Sequence, residues 1–166
     1  MRKVTFKGNA VTLLGDQVKV GDKAHDFTVL SNSLEERSLA DYECKVKLIS
    51  VVPSLDTELC SLQTKKFNEA ADDFPNIKIL TISMDLPFAQ SRWCGAEGIK
   101  QLETLSDHRD ASFGKSYGVL IEELRLLARS IFVVNEKDEV TYVEYVDEVA
   151  SHPDYDKVLE HLRENY

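Results

Sequence analysis

The sequence predicts an α/β fold: a mixed central sheet flanked by helices, with a β-hairpin added at the N-terminus. Three observations predict it. Strand and helix patterns alternate from about residue 47 to residue 98, and alternation of that kind builds a sheet with helices on its faces. The run "KLISVVP" is almost wholly apolar and β-branched, as strands buried on both faces are. Two β-rich runs about a polar turn, "RSIFVVNEKDEVTYVEYV", read as a hairpin before a last helix.

The elements follow in order. "KVTFKGNAVTLLG" reads as two short strands about a Gly8-Asn9 turn. "HDFTVL" (25–30) alternates weakly and reads as a strand, and "SLADYE" (38–43) as one helical turn capped by Ser38. "KLISVVP" (47–53) is a buried strand ended by Pro53. Between Thr57 and Phe74, Leu59, Leu62, Phe67, Ala70, Ala71 and Phe74 keep a helical period, and Pro75 stops it. "IKILTISM" (77–84) is the next strand. "PFAQSRWCGAEG" (87–98) is a helix with Pro87 in its first turn and Gly95 and Gly98 near its end. "LETLSD" (102–107) reads as a short strand and "SFGKSYGV" (112–119) as a short helix. The hairpin of 129–146 follows. "PDYDKVLEHLREN" then places Tyr155, Val158, Leu159 and Leu162 on one face of a C-terminal helix. This is a thioredoxin-like layout with an extra hairpin. No linker or repeat divides residues 1–166, so one domain is expected.

Composition removes several function classes. The net charge is −9 over 166 residues, the wrong sign for a nucleic-acid partner or an anionic lipid surface. The apolar runs are too short to span a bilayer. The first fifteen residues hold no continuous apolar stretch of the signal-peptide kind, so a cytoplasmic location is expected. The three cysteines, Cys44, Cys60 and Cys94, form no CxxC pair, and the four histidines show no ligand spacing. Neither a disulfide scaffold nor a metal site is expected.

The chemistry concentrates in "PSLDTELC" (53–60). With Thr57 as helix N-cap, Cys60 falls at the third helical position, and the Thr57 hydroxyl accepts its amide. A thiol in a first helical turn meets unpaired amides and the positive end of the helix dipole, which favour the thiolate. Asp56 is a competing cap, but its charge opposes a nearby thiolate. Glu58 is expected to face solvent. On these grounds alone a reactive Cys60 and a packed structural cysteine stay equally open. Cys94, beside Trp93, and Cys44 read as structural. Arg129, at a strand end, reads as solvated.

These segments resemble a known family. "PSLDTELC" resembles the PxxxTxxC motif of peroxiredoxins. "SMDLPFAQSRWCGAEG" resembles the second-cysteine segment of one branch, the bacterial thiol peroxidases, which are atypical 2-Cys peroxiredoxins. "FKGNAVTLLG", "LLARSIFVV" and "YVDEVASHPDYD" look like that branch's hairpin, arginine strand and C-terminal signature. The resemblance implies a thioredoxin-like fold and reduction of hydrogen peroxide and organic hydroperoxides. It makes Cys60 the peroxidatic and Cys94 the resolving cysteine, joined in an intramolecular disulfide that thioredoxin reduces. It has Thr57 bonding thiolate and peroxide, Arg129 completing the pocket and Pro53 shielding it. It implies a homodimer and no cofactor. Glu58 and Leu59 depart from the residues common in relatives, and Cys44 matches no catalytic position. Two rivals are a disulfide reductase, which would carry CxxC, and a non-enzymatic domain with inert cysteines.

Overall fold

The computed structural model describes residues 2–166. Strands β1 (Arg2–Phe6) and β2 (Asn9–Leu14) form the N-terminal hairpin. The turn is Lys7-Gly8, one residue earlier than expected, because Asn9 already pairs with Phe6. Both turn residues have positive φ, 52° and 82°, which the twist of a two-residue hairpin demands. Strand β3 (Thr28–Leu30) is shorter than the 25–30 run, since the Asp26 carboxylate accepts the Phe27 and Leu39 amides. After β4 (Glu36–Ser38), a 3₁₀ turn spans Leu39–Tyr42, and the Asp41 carboxylate accepts the Ser38 amide.

The centre follows the expected alternation: β5 (Val46–Val51), helix α1 (Glu58–Ala70), β6 (Ile77–Ser83), helix α2 (Pro87–Glu97) and β7 (Glu103–Ser106). The short α3 (Ser112–Ser116) leads to β8 (Leu120–Ile121) and β9 (Leu126–Leu127), which, like β4, are strands the sequence reading lacks. The hairpin β10 (Ser130–Val134) and β11 (Val140–Tyr145) precedes α4 (Tyr155–Asn165). A seven-stranded sheet runs β11-β10-β5-β6-β7-β3-β4, with β5, β6 and β7 parallel and the other pairs antiparallel. The order β1-β2-β8-β9 makes a separate four-stranded sheet.

Strand β5 is buried along its whole length. Leu48 packs with Phe67 of α1 and Leu159 and Leu162 of α4, while Ile49 and Val51 enter a second cluster with Leu13, Phe113 and Phe132. Its Lys47 is also buried, with Nζ 2.6 Å from the Asp138 carboxylate. One helical-face expectation fails: Leu62 is 48% exposed. The buried stripe of α1 is Cys60, Gln63, Thr64 and Phe67, spaced i, i+3, i+4, i+7. Two of its members are polar, which hid it from an apolar period. Among the described residues, no helix is long and apolar enough to cross a membrane.

Candidate active site

The site forms where β5 runs out. Ligand sites of parallel sheets lie beyond the carboxyl ends of their strands, and the loop from Val52 to Thr57 occupies that position here. Thr57 is the N-cap of α1, with extended backbone (φ −114°), and its Oγ1 accepts the Cys60 amide at 3.4 Å. Thr57 and not Asp56 therefore caps the helix. The Thr57 hydroxyl donates to the Ser54 carbonyl at 3.1 Å, so in this structure its proton points away from sulfur. Glu58 is exposed, as expected.

Cys60 is 0% exposed and packs with Val52, Leu55 and Trp93. Pro53 is buried between the first two of these. The reading of Cys60 as buried or reactive thus resolves into a buried thiol with a charged partner. Arg129 supplies the charge. Register pairs Ser130 with Val51, which sets Arg129 just past the end of β5. Arg129 is 2% exposed, so its expected solvation is overturned. Its Nη2 donates to Cys60 Sγ at 3.3 Å, its Nη1 to Gln63 Oε1 at 2.8 Å and its Nε to the Val149 carbonyl at 2.8 Å. A buried guanidinium needs hydrogen-bond acceptors, and each of its three nitrogens has one.

Sequence reasoning missed two supporting side chains. Gln63 Nε2 donates to Ser50 Oγ at 2.8 Å, which fixes its oxygen toward Arg129. Its signal was its place one turn after Cys60. Asp85, at the carboxyl end of β6, accepts from Ser54 Oγ (2.6 Å), the Leu55 amide (2.7 Å) and Ser83 Oγ (2.8 Å). It ties the loop before Cys60 to the segment before α2. Tyr155 lies near enough to feel both Arg129 and Cys60, and burial, the largest influence, raises its phenol above the ordinary tyrosine value.

Cys94 is not brought to Cys60. It is a free thiol, half-buried on α2, with Sγ 3.5 Å from Thr104 Oγ1 on β7. Its neighbour Trp93 makes the contact with the Cys60 cluster. A cleft of about 310 Å³ opens between Ser54–Asp56 and α2, where Leu55 and Trp93 line it. Cys44 is exposed and lines a separate concavity of about 450 Å³ with Phe74 and Tyr166, which includes none of these residues.

Residues 19–159 match the family model described as Redoxin. The chain belongs to the redoxin family. Within this family it stands with the thiol peroxidases. It is 63% identical over 162 residues to the thiol peroxidase of Oceanobacillus iheyensis, covering 98% of this chain and 99% of that one. It is 61% identical over 160 residues to the thiol peroxidase of Bacillus subtilis, covering 96% of each. Among solved structures, a peroxiredoxin-like protein from Aquifex aeolicus matches with TM-score 0.92 at 39% identity, over 99% of this redoxin and 97% of that chain. The thioredoxin-like peroxiredoxin fold with its N-terminal hairpin is thereby shown.

Proposed function

We propose that this redoxin reduces hydrogen peroxide and organic hydroperoxides through Cys60, and that Cys94 resolves the product. The observation that carries the reading is the Arg129 Nη2–Cys60 Sγ contact of 3.3 Å between two buried side chains. A fixed positive charge against sulfur favours the anionic nucleophile, and desolvation strengthens the pairing. The sulfur attacks one peroxide oxygen. The S–O bond forms as the O–O bond breaks, and the leaving oxygen takes a proton and departs as water or alcohol. Arg129 and the first-turn amides stabilise the charge as it moves across the O–O bond. Thr57 holds the first turn and, once its hydroxyl rotates from Ser54, donates to the peroxide. Pro53 keeps bulk water off.

Cys60 is left as a sulfenic acid. The Cys94 sulfur attacks it, an S–S bond forms, and the hydroxyl leaves as a second water. A dithiol of the thioredoxin kind then attacks the disulfide and returns both thiols by exchange. No metal, flavin or haem enters any step. The active form is a cytoplasmic homodimer: the exposed apolar start of α2 supports the pairing, and a cycle that depends on a dithiol reductant supports the compartment.

Stopped-flow mixing of the reduced protein with hydrogen peroxide, with thiols counted before and after, tests the scheme. The unsubstituted protein should lose two thiols per peroxide. Cys60→Ser should consume none. Cys94→Ser should complete one fast turnover and stop, and Cys44→Ser should cycle normally. Sustained turnover by Cys60→Ser with a thioredoxin system overturns the assignment.

A further inference from the structure

The N-terminal hairpin lies outside the central sheet, yet a continuous set of contacts leads from it to Cys60. The connecting piece is the 147–151 segment between β11 and α4, which is neither strand nor helix. Its backbone joins the hairpin twice: the Thr5 amide donates to the Asp147 carbonyl (2.8 Å) and the Val149 amide to the Thr5 carbonyl (2.7 Å). Its carboxylate does more. Glu148 Oε1 accepts from the Gly8 amide (2.7 Å) and Thr5 Oγ1 (3.2 Å). Glu148 Oε2 accepts from the Ala150 amide (2.6 Å) and the Lys7 amide (3.1 Å). One side chain thus gathers four donors from the hairpin and from its own loop. Hydrogen bonds to an ionised acceptor are about twice as strong as neutral ones.

Between Glu148 and Ala150 stands Val149. Its side chain is fully buried, and its carbonyl accepts Arg129 Nε. A guanidinium is a rigid planar fork. With Nε fixed on Val149 and Nη1 on Gln63, Nη2 has one direction left, which is the Cys60 sulfur. A carbonyl on an irregular loop keeps its place only as well as the loop is fastened. We propose that Glu148 is a positioning residue for the peroxide reaction: by clamping the 147–151 loop to the hairpin it holds the Val149 carbonyl, and so aims Arg129 at Cys60. The inference rests on the peroxidase reading above, and it assigns the hairpin a part in the chemistry.

The test is a double-mutant cycle on the second-order rate of reduced Cys60 with hydrogen peroxide. Glu148→Ala should slow the reaction about 10-fold, less than the roughly 100-fold or greater loss when a direct donor is removed. Glu148→Gln keeps one accepting oxygen and should fall between. In an Arg129→Lys background the fork that Val149 orients is gone, and Glu148→Ala should change the rate less than about twofold, since the two sites share one network. If Glu148→Ala folds poorly, Glu148→Gln carries the same cycle. An unchanged rate in the Arg129 protein, or an equal loss in both backgrounds, overturns the proposal. An unsubstituted protein that fails to react with peroxide defeats the peroxidase reading itself, which is a separate result.

Discussion

Asp107 shows what burial does to a single carboxyl group. It is 1% exposed and accepts two first-turn amides of α3, that of Phe113 at 2.9 Å and that of Gly114 at 2.8 Å. Burial is the larger influence and outweighs those bonds, so its pKa is pushed up to about 6 from 3.8. A raised pKa means the fold prefers the protonated form. Its stabilising contribution is complete below about pH 4 and is lost as pH rises through about 6. Asp107→Asn removes the titration. In urea melts, the stability of the unsubstituted protein relative to Asp107→Asn should increase as pH falls from 7 to 4, by on the order of 3 kcal/mol. A difference that stays flat across that range would show that the carboxyl is not perturbed. Residue-level features differ in how far the sequence exposes them. The Thr57 cap and the placement of Cys60 are visible because capping depends on local spacing. Gln63, one turn after Cys60, lies within the same local window, but Arg129's burial and the Asp85 strut depend on strand register and loop approach, which no local window contains.

Among the helices, α2 is the least anchored by apolar contact. Its fully buried residues are Pro87 and Gln90, whereas α4 buries Val158, Leu159 and Leu162. Gln90 Nε2 binds Ser83 Oγ (3.0 Å) and the Leu105 carbonyl (2.8 Å), so polar bonds replace the usual apolar seam. Water can take over such bonds at little net cost. Cys94 touches β7, while Arg129, the partner of Cys60, precedes β10. Three inter-strand spacings separate those strands in the order β10-β5-β6-β7, which is about 14 Å. A disulfide needs α-carbons about 4.4–6.8 Å apart, and with Cys94 held against β7 and Cys60 against Arg129, closing one is expected to take α2 off the sheet. Amide exchange across 88–98 should be faster in the disulfide form than in the reduced form, with the first turn of α1 (57–62) following and α4 unchanged. Indistinguishable exchange in the two forms would sink the unwinding step. The helices and long strands were readable because each carries its own period and stop signal. The two-residue β8 and β9 were not, since they exist only by pairing with β2 and each other.

At the scale of the whole molecule, charge and apolar surface pull against each other. A net charge of −9 makes two copies repel. Yet Leu86 and Phe88, at the start of α2, are 51% and 66% exposed, beside the half-buried Trp93. Large apolar side chains left exposed mark a contact surface. A standard interface covers about 800 Å² per partner, roughly a tenth of the 8062 Å² surface of this chain. If that surface joins two copies, light scattering at micromolar concentration should give twice the 18.8 kDa mass of the chain. Added salt should strengthen the pair by screening the repulsion. Phe88→Asp puts a like charge into the apolar centre of each copy and should return the mass to 18.8 kDa while leaving the fold intact, because the side chain is exposed. A mass of 18.8 kDa for the unsubstituted protein at both low and high salt would remove the dimer from the account.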